Sequence, residues 1–262
     1  MADTLLKTDH GAWVELTLNR PGKMNAINEA MGAALLAALK NARQSSARAV
    51  LITGAGRGFC TGQDLGDKNP KDGPPPDLGK TLRTIYNPII RAIRDLPAPV
   101  VCAVNGPAAG AGASIALACD ITLAADGATF VLPFARIGLV PGAGSSWTLV
   151  RAVGEARAKA MALTAEPVLA TTAADWGLIW KAVPADALVS EARTLTARLA
   201  AGPSFGLSQT KKAIQQAAHN TLDQHLDLEA ALQTLCGQHP DFAEGVAAFM
   251  EKRQPVFAGV KP

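Results

Sequence analysis

Two glycine-rich turns constrain the fold of this chain more than any other feature of its sequence. The first turn covers residues 54–65 and the second covers residues 105–114. Each follows a short apolar run, at residues 49–53 and 100–104, and such runs are typical of strands that are buried on both faces. Glycine then lets the backbone turn tightly. The sequence therefore predicts two buried strands, each with a glycine-rich turn at its carboxyl end.

Apolar patterning predicts further strands and helices around these turns. Residues 13–18 alternate in polarity, which predicts a half-buried strand with Glu15 and Thr17 on its outward side. Asn28 is a predicted helix N-cap, and the proline-rich and glycine-rich residues 67–79 predict a mobile surface loop. The same reasoning predicts helices at residues 82–96 and 110–119 and short strands at residues 121–124 and 129–132. This order predicts an α/β fold with a largely parallel sheet.

The last part of the chain shows helical periodicity only. We therefore divide the chain into a core domain at residues 1–200 and a helical oligomerisation region at residues 201–262. Thr221 and Gln224 form a predicted capping box at the start of one helix in this region. Apolar stripes, such as the one that contains Phe249, are too large for two or three helices to bury alone. They predict packing on the core or on another subunit.

Composition and charge exclude several classes of function. Hydrophobic residues make up 48% of the chain and charged residues 18%, which supports a sizeable core and not bulk disorder. The net charge of +3 is small and the basic residues are scattered, so we expect no nucleic-acid partner. No long apolar run predicts a membrane span, and residues 1–11 lack the features of a signal peptide. The four cysteines show no metal-like spacing, so we expect reduced thiols, no metal site and a cytoplasmic protein.

The position of the two turns indicates a ligand site, because α/β proteins bind ligands outside the carboxyl ends of their strands. Dinucleotide binding is disfavoured, since Phe59 and Ile115 occupy the last glycine position of that motif, and neither turn has the lysine of a phosphate loop. Ser114 lies in a near match to a hydrolase nucleophile motif, but Ala116 replaces its last glycine and the later histidines all lie in the helical region. The second turn opens directly into a helix, whose free N–H groups suit an oxyanion.

Five segments of the chain, in this order, resemble segments of the enoyl-CoA hydratase/isomerase (crotonase-like) family. They lie at residues 18–27, 58–65, 104–113, 138–144 and 244–253. Within the family, the chain resembles most the ring 1,2-epoxyphenylacetyl-CoA isomerases, at residues 57–60, 62–65, 86–88 and 202–207. The resemblance implies a spiral of ββα turns with a helical C-terminal trimerisation region, assembled as a homotrimer or a hexamer.

The resemblance also implies a chemistry, in which two backbone N–H groups hold the enolate oxygen of a CoA thioester. By position these are the amides of Gln63 and Ala111, and preorganised donors of this kind contribute about 3–4 kcal/mol apiece. The implied contacts to coenzyme A are Lys23, Met24, Asn25, Ala26, Gly62, Asp64, Leu65, Phe249 and Lys252. Gly66 stands where a phosphate-contacting lysine can occur. Because the CoA thioester is itself the substrate, no separate cofactor is implied.

The chain departs from the family at the positions that usually hold catalytic acids. Two positions that carry glutamates in hydratases hold Ser114 and Phe134, and a third, acidic in many isomerases, is Gly142. The absence of an acid–base group costs about 10²–10⁴-fold for each proton transfer. The favoured hypothesis is therefore an acyl-CoA isomerase that depends mainly on enolate stabilisation.

Two alternatives remain open on the sequence alone. The chain could be a hydratase with atypical proton carriers, drawn from Asp64, Asp67, Tyr86 or Cys60. It could also be a weakly active paralogue that binds CoA esters. The sequence does not show which of these groups faces the thioester.

Overall fold

Nine strands in two sheets are present in the part of the chain that the computed structural model describes, residues 3–64, 66 and 77–257. They are β1 (Leu5–Asp9), β2 (Trp13–Leu18), β3 (Ala49–Gly54), β4 (Val100–Val104), β5 (Ala108–Ala109), β6 (Ile121–Ala125), β7 (Thr129–Val131), β8 (Val168–Leu169) and β9 (Lys181–Val183). The larger sheet has the order β1-β2-β3-β4-β6-β9, and within it only β1 pairs antiparallel. Strands β5, β7 and β8 form the smaller sheet. The predicted α/β fold with a largely parallel sheet is confirmed.

Helices follow most of the strands and form the whole of the C-terminal region. They are α1 (Glu29–Gln44), α2 (Leu78–Thr81), α3 (Asn87–Arg94), α4 (Ala111–Ala118), α5 (Ser145–Thr164), α6 (Ala170–Asp175), α7 (Leu188–Ala201), α8 (Ser204–Ala217), α9 (Leu222–Gly237) and α10 (Pro240–Glu251). Asn28 caps α1 as predicted, since its Oδ1 accepts a hydrogen bond from the Met31 N–H at 3.0 Å. The predicted capping box of Thr221 and Gln224 opens α9.

Strand β2 is buried on both sides, and the prediction of an outward, solvent-facing Glu15 is wrong. The side of β2 that carries Glu15 is covered, and Glu15 is only 5% exposed. Arg193 of α7 binds both carboxylate oxygens of Glu15, through Nε at 2.8 Å and Nη2 at 2.9 Å. A buried carboxylate is tolerated because it is paired with this bidentate partner. Helix α7 lies far along the chain, so local alternation could not reveal its cover.

The helix predicted at residues 82–96 is longer and less regular than its sequence pattern indicates. It begins at Leu78 with α2, continues through a π-helical turn at Leu82–Tyr86, and ends with α3. The side chains of Tyr86, Ile89 and Ile93 lie on one face of this segment and are buried. The surface loop predicted at residues 67–79 lies outside the described residues up to position 76. Single π-helical turns of this kind occur frequently at functional sites.

The C-terminal helices are tied to the core by polar contacts of α8. Lys211 donates to Asp120 Oδ2 at 2.7 Å and to the Ile93 carbonyl at 3.0 Å, so its side chain is only 9% exposed. The sequence suggested a solvated pair at Lys211 and Lys212, and this is wrong for Lys211. The apolar stripes of α9 and α10 stay exposed in the single chain, at Leu222, Leu226, Leu235, Phe242, Val246, Phe249 and Met250. None of the helices within the described residues is long and apolar enough to cross a membrane.

Candidate active site

The two glycine-rich turns lie side by side and are joined by backbone hydrogen bonds. Cys60 forms a parallel bridge with Ala108: the Cys60 N–H donates to the Pro107 carbonyl at 3.2 Å, and the Ala109 N–H donates to the Cys60 carbonyl at 2.8 Å. Gly112 permits this approach, because a Cβ there would lie 2.2 Å from the Cys60 carbonyl oxygen. The turns that the sequence placed after two separate strands therefore form one continuous structure.

Two backbone N–H groups, those of Gln63 and Ala111, lie where the turns meet and have no acceptor among the residues that the structure describes. The bridge between Ile27 and Gln63 uses the amides of Ile27 and Asp64, at 2.7 and 2.9 Å, and leaves the Gln63 N–H unused. Ala111 is the first residue of α4, so its N–H has no acceptor within the helix. Neither N–H makes a backbone hydrogen bond to any residue that the structure describes. A Cβ on Gly62, whose φ is +88°, would lie 3.2 Å from the Ala111 nitrogen, so the turn before Gln63 lies directly beside this amide.

The three positions where the family resemblance implies acids, Ser114, Phe134 and Gly142, lie around the second turn. The Ser114 hydroxyl is buried between the carbonyls of Gly110, at 3.1 Å, and Gly142, at 3.2 Å. Its proton is therefore committed to the backbone. The ring of Phe134 lies over Gly110, 3.7 Å from where a Cβ would be. The space beside Gly142 is filled by Leu82, whose methyl carbons would lie 3.0 and 3.3 Å from a Cβ.

A cavity of about 280 Å³ opens beside the Gln63 amide. It is lined by Ile27, Asn28, Glu29, Ala30, Gln63, Asp64, Thr81, Ile85 and Tyr86. Its walls come from the start of α1, the first turn and the π-helical turn. Glu29, an exposed carboxylate at the first position of α1, is a lining residue that no sequence motif indicated. The sequence offered one signal that Glu29 belongs to the site. It directly follows the Asn28 cap, and the first turn of this helix faces the cavity.

Of the proton carriers that the sequence suggested, the structure places Asp64 and Tyr86 in this cavity. The Gly66 N–H at 3.1 Å, and then the Arg20 guanidinium at 2.8 Å, hold the pKa of Asp64 below its usual value, so Asp64 is an anion with its oxygens already engaged. Burial raises the pKa of Tyr86, with smaller contributions from Cys60 and Asp64. Cys60 is buried in the turn itself, and burial raises its pKa to about 12. Asp67 lies outside the described residues.

The segment predicted to contact coenzyme A lies against the first turn. Asn25 is buried, and its side-chain amide donates to the carbonyls of Ala55 and Gly58, both at 2.9 Å. The Met24 carbonyl accepts from the Thr61 N–H at 3.1 Å. These bonds bring the predicted residues Lys23, Met24, Asn25 and Ala26 together with Gly62 and Asp64. The sequence analysis missed Arg20, which links Asp64 to the Ala26 carbonyl.

The remaining predicted contacts do not join this site within the chain. Leu65 lies outside the described residues. Phe249 is 82% exposed and lines a separate groove of about 510 Å³ between the C-terminal helices, together with Phe205, Phe242 and Phe257. Lys252, in the left-handed conformation after α10, is also exposed. Neither residue lines the cavity beside Gln63.

The fold is that of the enoyl-CoA hydratase/isomerase family. The sequence profile of that family matches residues 9–260, and the chain belongs to this family. The crystal structure of an enoyl-CoA hydratase from Polaromonas sp. JS666 superimposes with a TM-score of 0.91 at 35% identity, over 97% of this chain and 99% of the other.

Two curated relatives are similar over nearly their whole lengths. The 1,2-epoxyphenylacetyl-CoA isomerase of Escherichia coli (strain K12) is 49% identical over 246 residues, which cover 93% of this chain and 94% of the relative. A protein of Rhodobacter capsulatus with the name "probable enoyl-CoA hydratase" is 51% identical over 244 residues, which cover 93% of each chain. The relatives thus include both an isomerase and a hydratase.

Proposed function

We propose that this chain isomerises an enoyl-CoA or an aromatic-ring-derived CoA ester, of the kind formed when phenylacetate is broken down. The observation that carries the proposal is the pair of unused amides, Gln63 N–H and Ala111 N–H, on adjoining turns. Such donors stabilise the negative charge that develops on a thioester oxygen, and they need no reorganisation during the reaction. The start of α4 adds the positive end of a helix dipole at the same place.

Isomerisation is favoured over hydration because the three positions expected to hold the acids that activate a water and deliver a proton carry none. Ser114 donates to backbone carbonyls, Phe134 has no proton to give, and Gly142 has no side chain. The relative named as an isomerase, at 49% identity, supports the same reading. Hydration is the second candidate, and Glu29 favours it, since its carboxylate lines the cavity beside Gln63.

Coenzyme A would lie along the segment of residues 23–26 and the first turn at Gly62 and Asp64. Phe249 and Lys252 do not line the cavity within the single chain, so the proposal assigns their contribution to a second subunit. We therefore include a homotrimer or hexamer in the proposal, with the exposed stripes of α9 and α10 as its contact surface. The proposed reaction uses the CoA thioester as substrate and involves no further cofactor.

The test is an assay of the purified protein with three esters: a ring-epoxide CoA ester, a 3-enoyl-CoA and crotonyl-CoA. We expect isomerised product from one of the first two and hydration of crotonyl-CoA well below a turnover of about 10² s⁻¹, which is high within the usual enzyme range. Rapid hydration of crotonyl-CoA would establish the second candidate. Tight binding of all three esters without turnover would identify a binding paralogue.

The oxyanion role has its own test in Ala111→Pro, which removes one N–H without adding a polar group. Ala111 is the first residue of α4, where proline is well tolerated, so the helix is expected to survive. We expect kcat to fall by about 10²–10³. Ala111→Gly, which keeps the N–H, is the matched comparison, and an equal loss in both variants would refute the role of the amide. The thermal midpoint of each variant checks that it is folded.

A further inference from the structure

The side of the cavity opposite the first turn is built by a π-helical turn, Leu82–Tyr86. A π turn widens the helix by one residue and leaves its hydrogen bonding less regular, so it persists where the placement of a side chain matters. Two side chains of this turn lie at the site. Leu82 fills the space beside Gly142, and Tyr86 enters the cavity with only 2% of its surface exposed.

The Tyr86 hydroxyl makes no hydrogen bond to any residue within the described ranges. Tyr86 lines the same cavity as Gln63 and Asp64 of the first turn. Asp64 accepts hydrogen bonds from the Arg20 guanidinium and the Gly66 N–H, and within the described residues it accepts none from Tyr86. Burial raises the pKa of Tyr86, so the hydroxyl keeps its proton at neutral and mildly alkaline pH. Tyr86 therefore presents a hydrogen-bond donor.

Gln63, which lines the same cavity, carries a second unused donor within the described residues. Its side-chain nitrogen, Nε2, is buried and has no partner among the residues that the structure describes. A buried amide without an acceptor is unfavourable, and native proteins leave few such groups unless a ligand or a water completes them. Asn28, which also lines the cavity, does not serve as the acceptor, because its Oδ1 caps the Met31 N–H.

We propose that Tyr86 and the Gln63 side chain form a donor pair that recognises an oxygen atom in the acyl group of the substrate. This inference rests on the proposed function, in which the backbone N–H of Gln63 already holds the thioester oxygen. The side-chain amide of Gln63 is several bonds away from its backbone N–H. The oxygen that the side chain binds is therefore a second oxygen of the substrate, distinct from the thioester oxygen. The chemical class is an acyl-CoA with an ether, epoxide or carbonyl oxygen on its ring or chain.

The test compares two esters that differ in one atom, tetrahydropyran-2-ylacetyl-CoA and cyclohexylacetyl-CoA. Their dissociation constants are measured by calorimetry with the full chain. We expect the ester with the ring oxygen to bind about tenfold more tightly, which corresponds to one good buried hydrogen bond. For each protein, the ratio of the two dissociation constants does not depend on the folded fraction of the sample, because both constants are measured on the same sample.

Tyr86→Phe and Gln63→Met each remove one donor at nearly constant volume. We expect each to reduce the preference several-fold and the double variant to bind both esters equally. Thr84→Val is the matched control, since it removes an exposed hydroxyl from the same π-helical turn, and it should keep the wild-type ratio. Equal binding of the two esters by the wild type, or an unchanged ratio in the double variant, would overturn the donor pair. If neither ester nor acetyl-CoA binds, the proposed function fails and this inference fails with it.

Discussion

At the scale of single residues, the three positions that the family resemblance assigns to catalytic acids hold no acidic residue. They are Ser114, Phe134 and Gly142, which lie around the second turn. The Ser114 hydroxyl is engaged with the Gly110 and Gly142 carbonyls, and Leu82 occupies the space that a side chain at position 142 would need. The backbone at Gly142 has an ordinary φ, so the obstacle to an acid there is a side chain, Leu82, and not the backbone.

This predicts that Gly142→Asp combined with Leu82→Ala installs an acid beside the cavity. Leu82→Ala removes the methyl carbons that would lie 3.0 and 3.3 Å from the new Cβ. We expect the double variant to isomerise a 3-enoyl-CoA about 10²-fold faster than the wild type, the lower end of the usual contribution of a general acid–base group. The measurement is kcat/KM for each protein.

Leu82→Ala alone is the control for this experiment, and it should give no increase, because it enlarges the cavity without adding a proton carrier. Gly142→Asp alone should gain less than the pair, since Leu82 must first move away. A double variant no faster than the wild type would show that position 142 does not face the reacting carbons.

At the scale of elements, an ion pair between Lys211 of α8 and Asp120 ties α8 to the core at the start of β4. Lys211 Nζ and the Val100 N–H both donate to Asp120 Oδ2, at 2.7 and 2.8 Å. Burial raises the pKa of Asp120 above 3.8, and the Lys211 ammonium acts in the opposite direction. The pair therefore joins the helical region to the sheet through charges that are largely removed from water.

Replacing Lys211 with methionine should destabilise the protein by about 1–3 kcal/mol at neutral pH. This is less than for a fully buried pair, because 20% of the Asp120 side chain is exposed. Without the ammonium, the folded-state pKa of Asp120 rises further above its unfolded value. The variant therefore loses stability as the pH rises from 3.8 through that raised pKa. Its deficit relative to the wild type is small in acid and complete at neutral pH.

Urea unfolding of Lys211→Met at several pH values measures this deficit. Lys212→Met is the matched control, because Lys212 is the exposed neighbour on the same helix, and it should change the free energy of unfolding by less than about 0.5 kcal/mol. A deficit of Lys211→Met that did not depend on pH would argue against Asp120 as the group responsible.

At the scale of the whole molecule, the C-terminal helices expose more apolar surface than a monomer usually does. Phe242, Phe249 and Met250 of α10 and Leu222 of α9 are all more than half exposed. The three residues of α10 border the groove that Phe205 and Phe257 also line. Large contiguous apolar patches of this kind mark contact surfaces.

We therefore expect a mass three or six times that of the 27.0 kDa chain by light scattering at micromolar concentration. Phe242→Asp should shift the mass towards that of a single chain, because it places a charge in the apolar contact. Val189→Asp, at an exposed apolar position on α7, should leave the assembly intact. A wild-type mass near 27.0 kDa would refute the assembly.

The local pattern of the sequence was sufficient for most of the core. The buried strands β3 and β4, the Asn28 cap and the capping box of α9 all depend on neighbouring residues and on backbone preferences, so they can be predicted without the rest of the chain. The glycine-rich turns and their place at the strand ends follow for the same reason.

Tertiary structure alone decided the environment of residues whose partners lie far along the chain. Glu15 is buried because Arg193 and α7 cover it, and Lys211 is buried because Asp120 lies beneath it. Likewise, the π-helical turn that carries Leu82 to Gly142 and Tyr86 into the cavity has no local signature. The sequence by itself determined the elements and the pair of turns, since these depend on short-range backbone energetics. Which side chains meet in the cavity was decided by packing between segments that no local pattern connects.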